Sequence, residues 1–192
     1  MSLFAENSKL IWIVGDSIVQ RSAEFIKAQK MPDNFGECRV QVVWKGRGGL
    51  KVGELSRMLE SQIGKYQAPD VLVIACGTND LVQTSSMDIE MSLKDTVTEF
   101  KKHVPQCKVM FSNVLPRRKY KGARDSKAID LKRKKINMKM DSFGGYHNVV
   151  FHPQFTYKST TLIKGRPDWV HLTSLGCSVF IQNLRKTLLS EA

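Results

Sequence analysis

Acyl transfer through a covalent intermediate needs an alcohol or thiol, a base beside it and a group that orients the base. The sequence offers a candidate for each. Ser17 follows an apolar run and the pair Gly15-Asp16, and a helical apolar periodicity begins directly after it. At a helix N-terminus its hydroxyl would sit where free backbone N–H groups and the helix dipole favour developing negative charge. Far along the chain, Asp168-Trp169-Val170-His171 sets a carboxylate three residues before a histidine. That spacing lets the carboxylate reach the Nδ1 side of the ring and select the tautomer whose Nε2 can take the Ser17 proton. A tetrahedral intermediate also needs donors for its oxyanion. The backbone N–H of Ser17, a backbone N–H in the Gly48-Gly49 turn and the side-chain amide of Asn79 are the candidates.

Each of these residues also has a simpler local reading. Ser17 would cap a helix, His171 would sit at a helix start as a surface or capping residue, and Asn79 would stabilise its own turn through an Asx contact. Gly48 and Gly49 would serve a tight turn alone. His103, His147 and His152 lack an Asp at the right spacing and are read as surface or capping residues.

The elements that must position these groups follow from periodicity. Residues 10–14, 40–44, 71–76, 109–111 and 149–151 are short, nearly continuous runs rich in Val and Ile. Such runs are the mark of parallel strands covered on both faces. Residues 19–29, 52–63, 87–103, 128–143 and 174–188 carry apolar side chains at three- and four-residue intervals and are expected to be amphipathic helices. Strand and helix alternate, which predicts an α/β fold: a three-layer α/β/α sandwich on a five-stranded parallel sheet with the flavodoxin-like strand order. Ligands bind at the carboxyl ends of strands in such sheets, where the loops hold Gly15-Asp16-Ser17, 45–49, Gly77-Thr78-Asn79-Asp80, 116–118 and the stretch ending at Asp168 and His171.

With 192 residues, 42% hydrophobic and 25% charged, the chain is expected to be a single domain over 1–192, and its abrupt start at Met1-Ser2-Leu3 suits a domain excised from a longer protein. No window approaches the roughly 20 apolar residues of a membrane span, and no secretion signal is visible. Cys76 and Cys107 lie in apolar runs, far from Cys38 and Cys177, which points to reduced, packed thiols in an intracellular, cytoplasmic setting. Neither a CxxC pair nor zinc-type spacing is present, so no metal is expected.

Thirty Lys and Arg against eighteen Asp and Glu give a formal charge of +12. The companion should be an anionic surface, either nucleic acid or acidic phospholipid. Arg21, Lys45, Arg47, Lys51, Arg117, Arg118, Lys119, Lys121, Lys158, Lys164 and Arg166 fall in or beside the loops around Ser17. Of these, Arg47, Arg117, Arg118, Lys119, Lys121 and Arg166 are the expected lipid-binding cations. Leu50, Leu115, Tyr120 and Trp169 are the expected contacts for an acyl chain. The run Lys132-Arg133-Lys134-Lys135 reads first as a solvated helix face and second as an RNA contact. Lipid ranks above RNA because no aromatic platform or RNA-binding signature is apparent.

Taken together, GDSI at 15–18, the Gly48-Gly49 pair, GTND at 77–80 and DWVH at 168–171 resemble, in order and spacing, the signature blocks of the SGNH/GDSL hydrolases over nearly the whole chain. Ile18 stands where the GDSL name has leucine. The resemblance implies Ser17 as nucleophile, Gly49 as the glycine donor (with Gly48 the alternative register), Asn79 as the asparagine donor, and Asp168 with His171 as the DxxH pair. Within that superfamily, GDSIVQRS, GTNDL and DWVHLTSLG on a basic body look most like the esterase domain in first-open-reading-frame proteins of LINE-type non-LTR retrotransposons. The expected function is a cofactor-free serine esterase for acetyl or longer, lipid-like acyl esters, peripheral at anionic membranes. The rival is a membrane- or RNA-binding module with a vestigial site, and a third reading is a glycan deacetylase.

Overall fold

The computed structural model describes residues 8–144, 148–156, 158–165 and 167–190. Its strands are β1 (Lys9–Gly15), β2 (Val40–Gly46), β3 (Val71–Ala75), β4 (Lys108–Ser112) and β5 (Val149–Val150). They form one sheet in the order β2-β1-β3-β4-β5, every neighbouring pair parallel. The helices are α1 (Ser17–Ala28), α2 (Leu55–Ile63), α3 (Ser86–His103), α4 (Ser126–Gly144) and α5 (Ser174–Leu189). The expected helix over 52–63 opens instead with a separate 3₁₀ turn at Val52–Glu54, whose geometry Glu54 holds by accepting the Lys51 N–H.

Continuous apolar strands are explained by burial on both faces. On one face Ile11, Ile13, Val71, Val73 and Met110 pack with Val19 and Ile26 of α1 and Phe180, Ile181 and Leu184 of α5. On the other, Leu10, Trp12, Val14, Leu72 and Ile74 pack with Leu59 of α2, Ile89 and Leu93 of α3 and Ile136 and Met140 of α4. Burying one such side chain stabilises the fold by roughly 1.5–3 kcal/mol. The edge strand β2 departs from the pattern, since Gln41 is exposed.

Register brings the site's loops together. Gly15 pairs with Gly46 on one side and Ala75 on the other, so three strands end side by side. A Cβ on Gly15 would lie 2.1 Å from the Ala75 carbonyl oxygen, so only glycine fits where the chain leaves β1 for Ser17.

Several expectations about individual side chains are corrected by packing. Leu50, Leu115 and Tyr120, expected to meet an acyl chain, are buried in the two cores. The 132–135 run is not a uniform solvated face. Lys132 reaches the carbonyls of Leu81 and Thr84, and Arg133 is buried against Asp130 and the Val114 carbonyl, whereas Lys134 and Lys135 are exposed. His152 is no surface residue. It is buried, stacked on Phe180 at 4.8 Å and bonded to Ser112 and Asn183, and burial holds its imidazole down to about 3. His103 lies exposed in the last turn of α3, and His147 lies outside the described residues. Cys76, Cys107 and Cys177 are buried free thiols, while Cys38 is an exposed one.

Candidate active site

Asp16, not Ser17, caps α1. Its Oδ1 accepts the Ile18 N–H at 2.9 Å, leaving Ser17 as the first helical residue with its hydroxyl free of capping duty. Burial pushes the Asp16 carboxyl up, opposed by the Ile18 hydrogen bond and the nearby charge of Arg117. Ser17 lines a cavity of about 350 Å³ together with Gly49, Asn79, Arg117 and His171.

His171 is likewise relieved of capping, because Thr173 caps α5 by accepting the Gly176 N–H. An antiparallel bridge between Ile163 and Leu172 braces the histidine segment, and the Lys164 N–H donates to the His171 carbonyl at 2.8 Å. His171 Nδ1 lies 3.0 and 2.9 Å from the two Asp168 oxygens. Asp168 Oδ1 also accepts the backbone N–H groups of Val170 and His171 at 3.0 and 2.9 Å. Partial desolvation opposes the charged carboxylate, but the His171 and Val170 hydrogen bonds outweigh it and hold Asp168 at about 2. An ionised acceptor at Nδ1 requires Nδ1–H, so the neutral ring keeps Nε2 as its lone-pair nitrogen.

The turn that carries the glycines runs from Arg47 to Leu50, whose N–H donates to the Arg47 carbonyl at 3.2 Å. Gly49 takes φ +75° at its third position, the left-handed value a type II turn needs there. The turn reading is therefore correct as far as it goes, and one N–H remains for other work. The Gly48 N–H is occupied by Gln20 Oε1 at 2.7 Å, whereas the Gly49 N–H has no acceptor among the described residues.

Asn79 makes no Asx contact with its own turn. Its Nδ2 donates to the Leu50 carbonyl at 3.0 Å and its Oδ1 accepts Arg117 Nη2 at 2.8 Å. The loops after β2 and β3 are thus clipped together, and the sequence reading missed two further clips. Asp80 Oδ2 accepts the Val52 N–H at 3.2 Å, and the Cys76 thiol points at the Leu50 carbonyl. The signal for Asp80 was its place in GTND, but only the fold shows which loop it binds. Burial first, then the neighbouring Asp16 and Glu54 charges, raise the Asp80 carboxyl to about 6 against the pull of the Val52 hydrogen bond and Lys51.

The basic rim is only partly assembled. Arg117, expected to face outward, is half-buried in the cavity wall on Asn79. Arg118 lies over the Trp169 ring at 4.5 Å, Arg47 pairs with Glu54 at 2.7 Å, and Lys119 and Lys121 are exposed. Arg166 lies outside the described residues. Lys45, also expected at the rim, lies over Tyr66 and Trp12 and donates to Gln62. Arg21, Gln20 and Glu24 of α1 form the outer cavity wall, and Val170 adds an apolar side chain. No cluster of three or more His, Cys, Asp or Glu able to hold a metal occurs among the described residues, nor any helix long and apolar enough to cross a membrane.

The fold is shared with solved structures of low sequence identity. A GDSL-like lipase from Bacteroides thetaiotaomicron superposes with a TM-score of 0.76 at 15% identity, over 100% of this chain and 93% of that one. A carbohydrate esterase family 3 protein from Talaromyces cellulolyticus gives 0.66 at 17% identity, over 95% and 97%. A psychrotrophic esterase from Pseudoalteromonas sp., solved inhibited by monoethylphosphonate, gives 0.63 at 14%, over 95% and 98%. No curated protein sequence matches the chain. The sequence model of the GDSL-like lipase/acylhydrolase family spans residues 13–178, from the strand before Ser17 to the helix after His171, and the chain belongs to that family.

Proposed function

We propose that the chain is a serine hydrolase of carboxylic esters with a small acyl group, working through an acyl-enzyme. The observation that carries this is the bidentate hold of Asp168 on His171 Nδ1, on a histidine that lines the same cavity as Ser17, Gly49 and Asn79. Ser17 Oγ attacks the carbonyl carbon as His171 Nε2 takes its proton, and the carbonyl oxygen becomes the oxyanion. The free N–H of Gly49, the N–H of Ser17 at the start of α1 and the remaining Nδ2–H of Asn79 are its donors. His171 then returns the proton to the departing alcohol oxygen. In the second half, water loses a proton to the same nitrogen, adds to the acyl carbon and releases the acid with Ser17 restored.

A small acyl group suits these walls. Leu50, Leu115 and Tyr120 are taken up by the cores, and most of the cavity lining is polar or glycine. A long chain would lie along Gln20, Arg21 and Glu24, losing their hydration without apolar contact in return. The test is hydrolysis of p-nitrophenyl esters of increasing acyl length by the wild type and by Ser17→Ala. Acetate or propionate should be turned over fastest, and the variant should be inactive with an unchanged melting temperature. Turnover by Ser17→Ala at the wild-type rate refutes the assignment.

A further inference from the structure

Asn79 is an ambiguous group by itself, since its amide presents a donor and an acceptor of nearly the same shape. Its surroundings remove the ambiguity. A guanidinium can only donate and a backbone carbonyl can only accept, so Arg117 on one side and Leu50 on the other permit a single orientation. Of the two Nδ2 hydrogens, one is spent on Leu50 and the other is left for the cavity. Were Arg117 absent, the Leu50 carbonyl alone would oppose rotation of the amide, and the orientation that presents Oδ1, an acceptor, to the oxyanion would become more populated.

Arg117 is itself built in. Its backbone N–H donates to Tyr120 Oη at 3.3 Å, and Tyr120 is buried. Burial pulls the pKa of its guanidinium down, opposed by the nearby charges of Asp16 and Asp168, and its Nε is buried without a partner among the described residues. The next residue ties the same loop to the opposite side of the site, for the Arg118 N–H donates to the Trp169 carbonyl at 3.1 Å and its guanidinium lies on the Trp169 ring. Trp169 sits between Asp168 and His171 with φ +58°, a left-handed conformation uncommon for a bulky residue and held here by these contacts. One dipeptide in the loop after β4 thus touches both the oxyanion side and the Asp-His side.

We propose that Arg117 is the positioning residue of the oxyanion hole, fixing the Asn79 amide with its N–H toward the cavity and polarising it as a donor. A full positive charge on Oδ1 withdraws electrons through the amide and strengthens the opposite N–H, an effect enlarged in a partly desolvated site. The ground-state ester carbonyl is neutral and gains little from this. The oxyanion gains much more, so Arg117 acts on kcat rather than KM.

This proposal rests on the ester-hydrolase reading of the cavity, and the test separates the two. With a p-nitrophenyl acetate assay, Asn79→Ala should lower kcat by about two to three decades. Arg117→Met should lower it by roughly ten- to hundredfold, because the N–H survives but loses its fixed direction. In the Asn79→Ala background, Arg117→Met should cost less than about threefold, since the group it orients is gone. Arg117→Lys, which keeps the charge and one donor, should show a smaller loss with the same dependence on Asn79. Losses that multiply across the two positions overturn the proposal, as does a rise in KM at unchanged kcat. A second readout needs no turnover. The Asn79 side-chain amide pair in a ¹⁵N spectrum, assigned by its loss in Asn79→Asp, should move toward free-asparagine positions in Arg117→Met, and an unmoved pair refutes the positioning role. Equal activity of wild type and Ser17→Ala would instead sink the ester-hydrolase reading and leave the amide signal to decide Arg117.

Discussion

Replacing Asp168 by Asn changes one atom and tests the centre of the site. The Asn carbonyl oxygen can still accept the N–H groups of Val170 and His171, which Asp168 Oδ1 accepts at 3.0 and 2.9 Å, so the loop keeps its shape. The amide nitrogen, in place of Oδ2 at 2.9 Å, now faces His171 Nδ1 as a donor, and against the remaining oxygen at 3.0 Å it favours the tautomer in which Nδ1 accepts and the ring proton sits on Nε2. A ring in that tautomer cannot take the Ser17 proton, and kcat should fall by about four decades, as in serine hydrolases built on the same relay. The stability cost is separate and bounded. The Asp168 carboxyl stands at about 2 rather than 3.8, which at 1.36 kcal/mol per pH unit corresponds to about 2.5 kcal/mol. That contribution is present above the unfolded value and lost as pH falls through the folded one. Because the variant keeps the backbone hydrogen bonds, its loss at pH 7 should be smaller, about 1–2 kcal/mol, and its stability should lose the dependence on pH between about 4 and 2. The assay is p-nitrophenyl acetate turnover from pH 6 to 9 beside urea unfolding from pH 2 to 7. A variant that folds and retains more than a tenth of wild-type kcat at neutral pH would refute the role of Asp168 as orienter.

Two other groups make pH-dependent predictions of opposite sign. His152 has its imidazole held at about 3 against an ordinary 6.5, so the unfolded chain takes up a proton that the folded one refuses, and stability should fall by about 1.4 kcal/mol per pH unit below 6.5. His152→Phe should flatten that limb of the urea-unfolding profile, and an unchanged slope in the variant would be contrary. Asp80 is raised to about 6, so its contribution is present below 3.8 and lost as pH rises through 6. Asp80→Asn retains an acceptor for Val52 and should gain up to about 3 kcal/mol at pH 8 while matching the wild type at pH 4. A melting temperature at pH 8 below that of the wild type would contradict it.

The local chemistry of the elements was legible in the chain itself. Short continuous runs of Val and Ile are the mark of strands covered on both faces, and their alternation with amphipathic stretches leads to a parallel sheet with helices on either side. The Asp168-to-His171 pairing was also legible, because a carboxylate three residues before a histidine needs only local backbone geometry to meet it. Short range is what these readings share. Whether Ser17 and His171 act as caps and whether Asn79 closes its own turn was decided by neighbours the chain does not announce. Asp16 and Thr173 take the two caps, and Leu50 and Arg117 claim the Asn79 amide across 29 and 38 residues. The fates of Leu50, Tyr120, Arg133 and His152 were likewise tertiary. Loop residues after a strand turn inward or outward according to which helix packs above them, and a cation enters the interior only where carboxylates and carbonyls from distant segments converge to receive it.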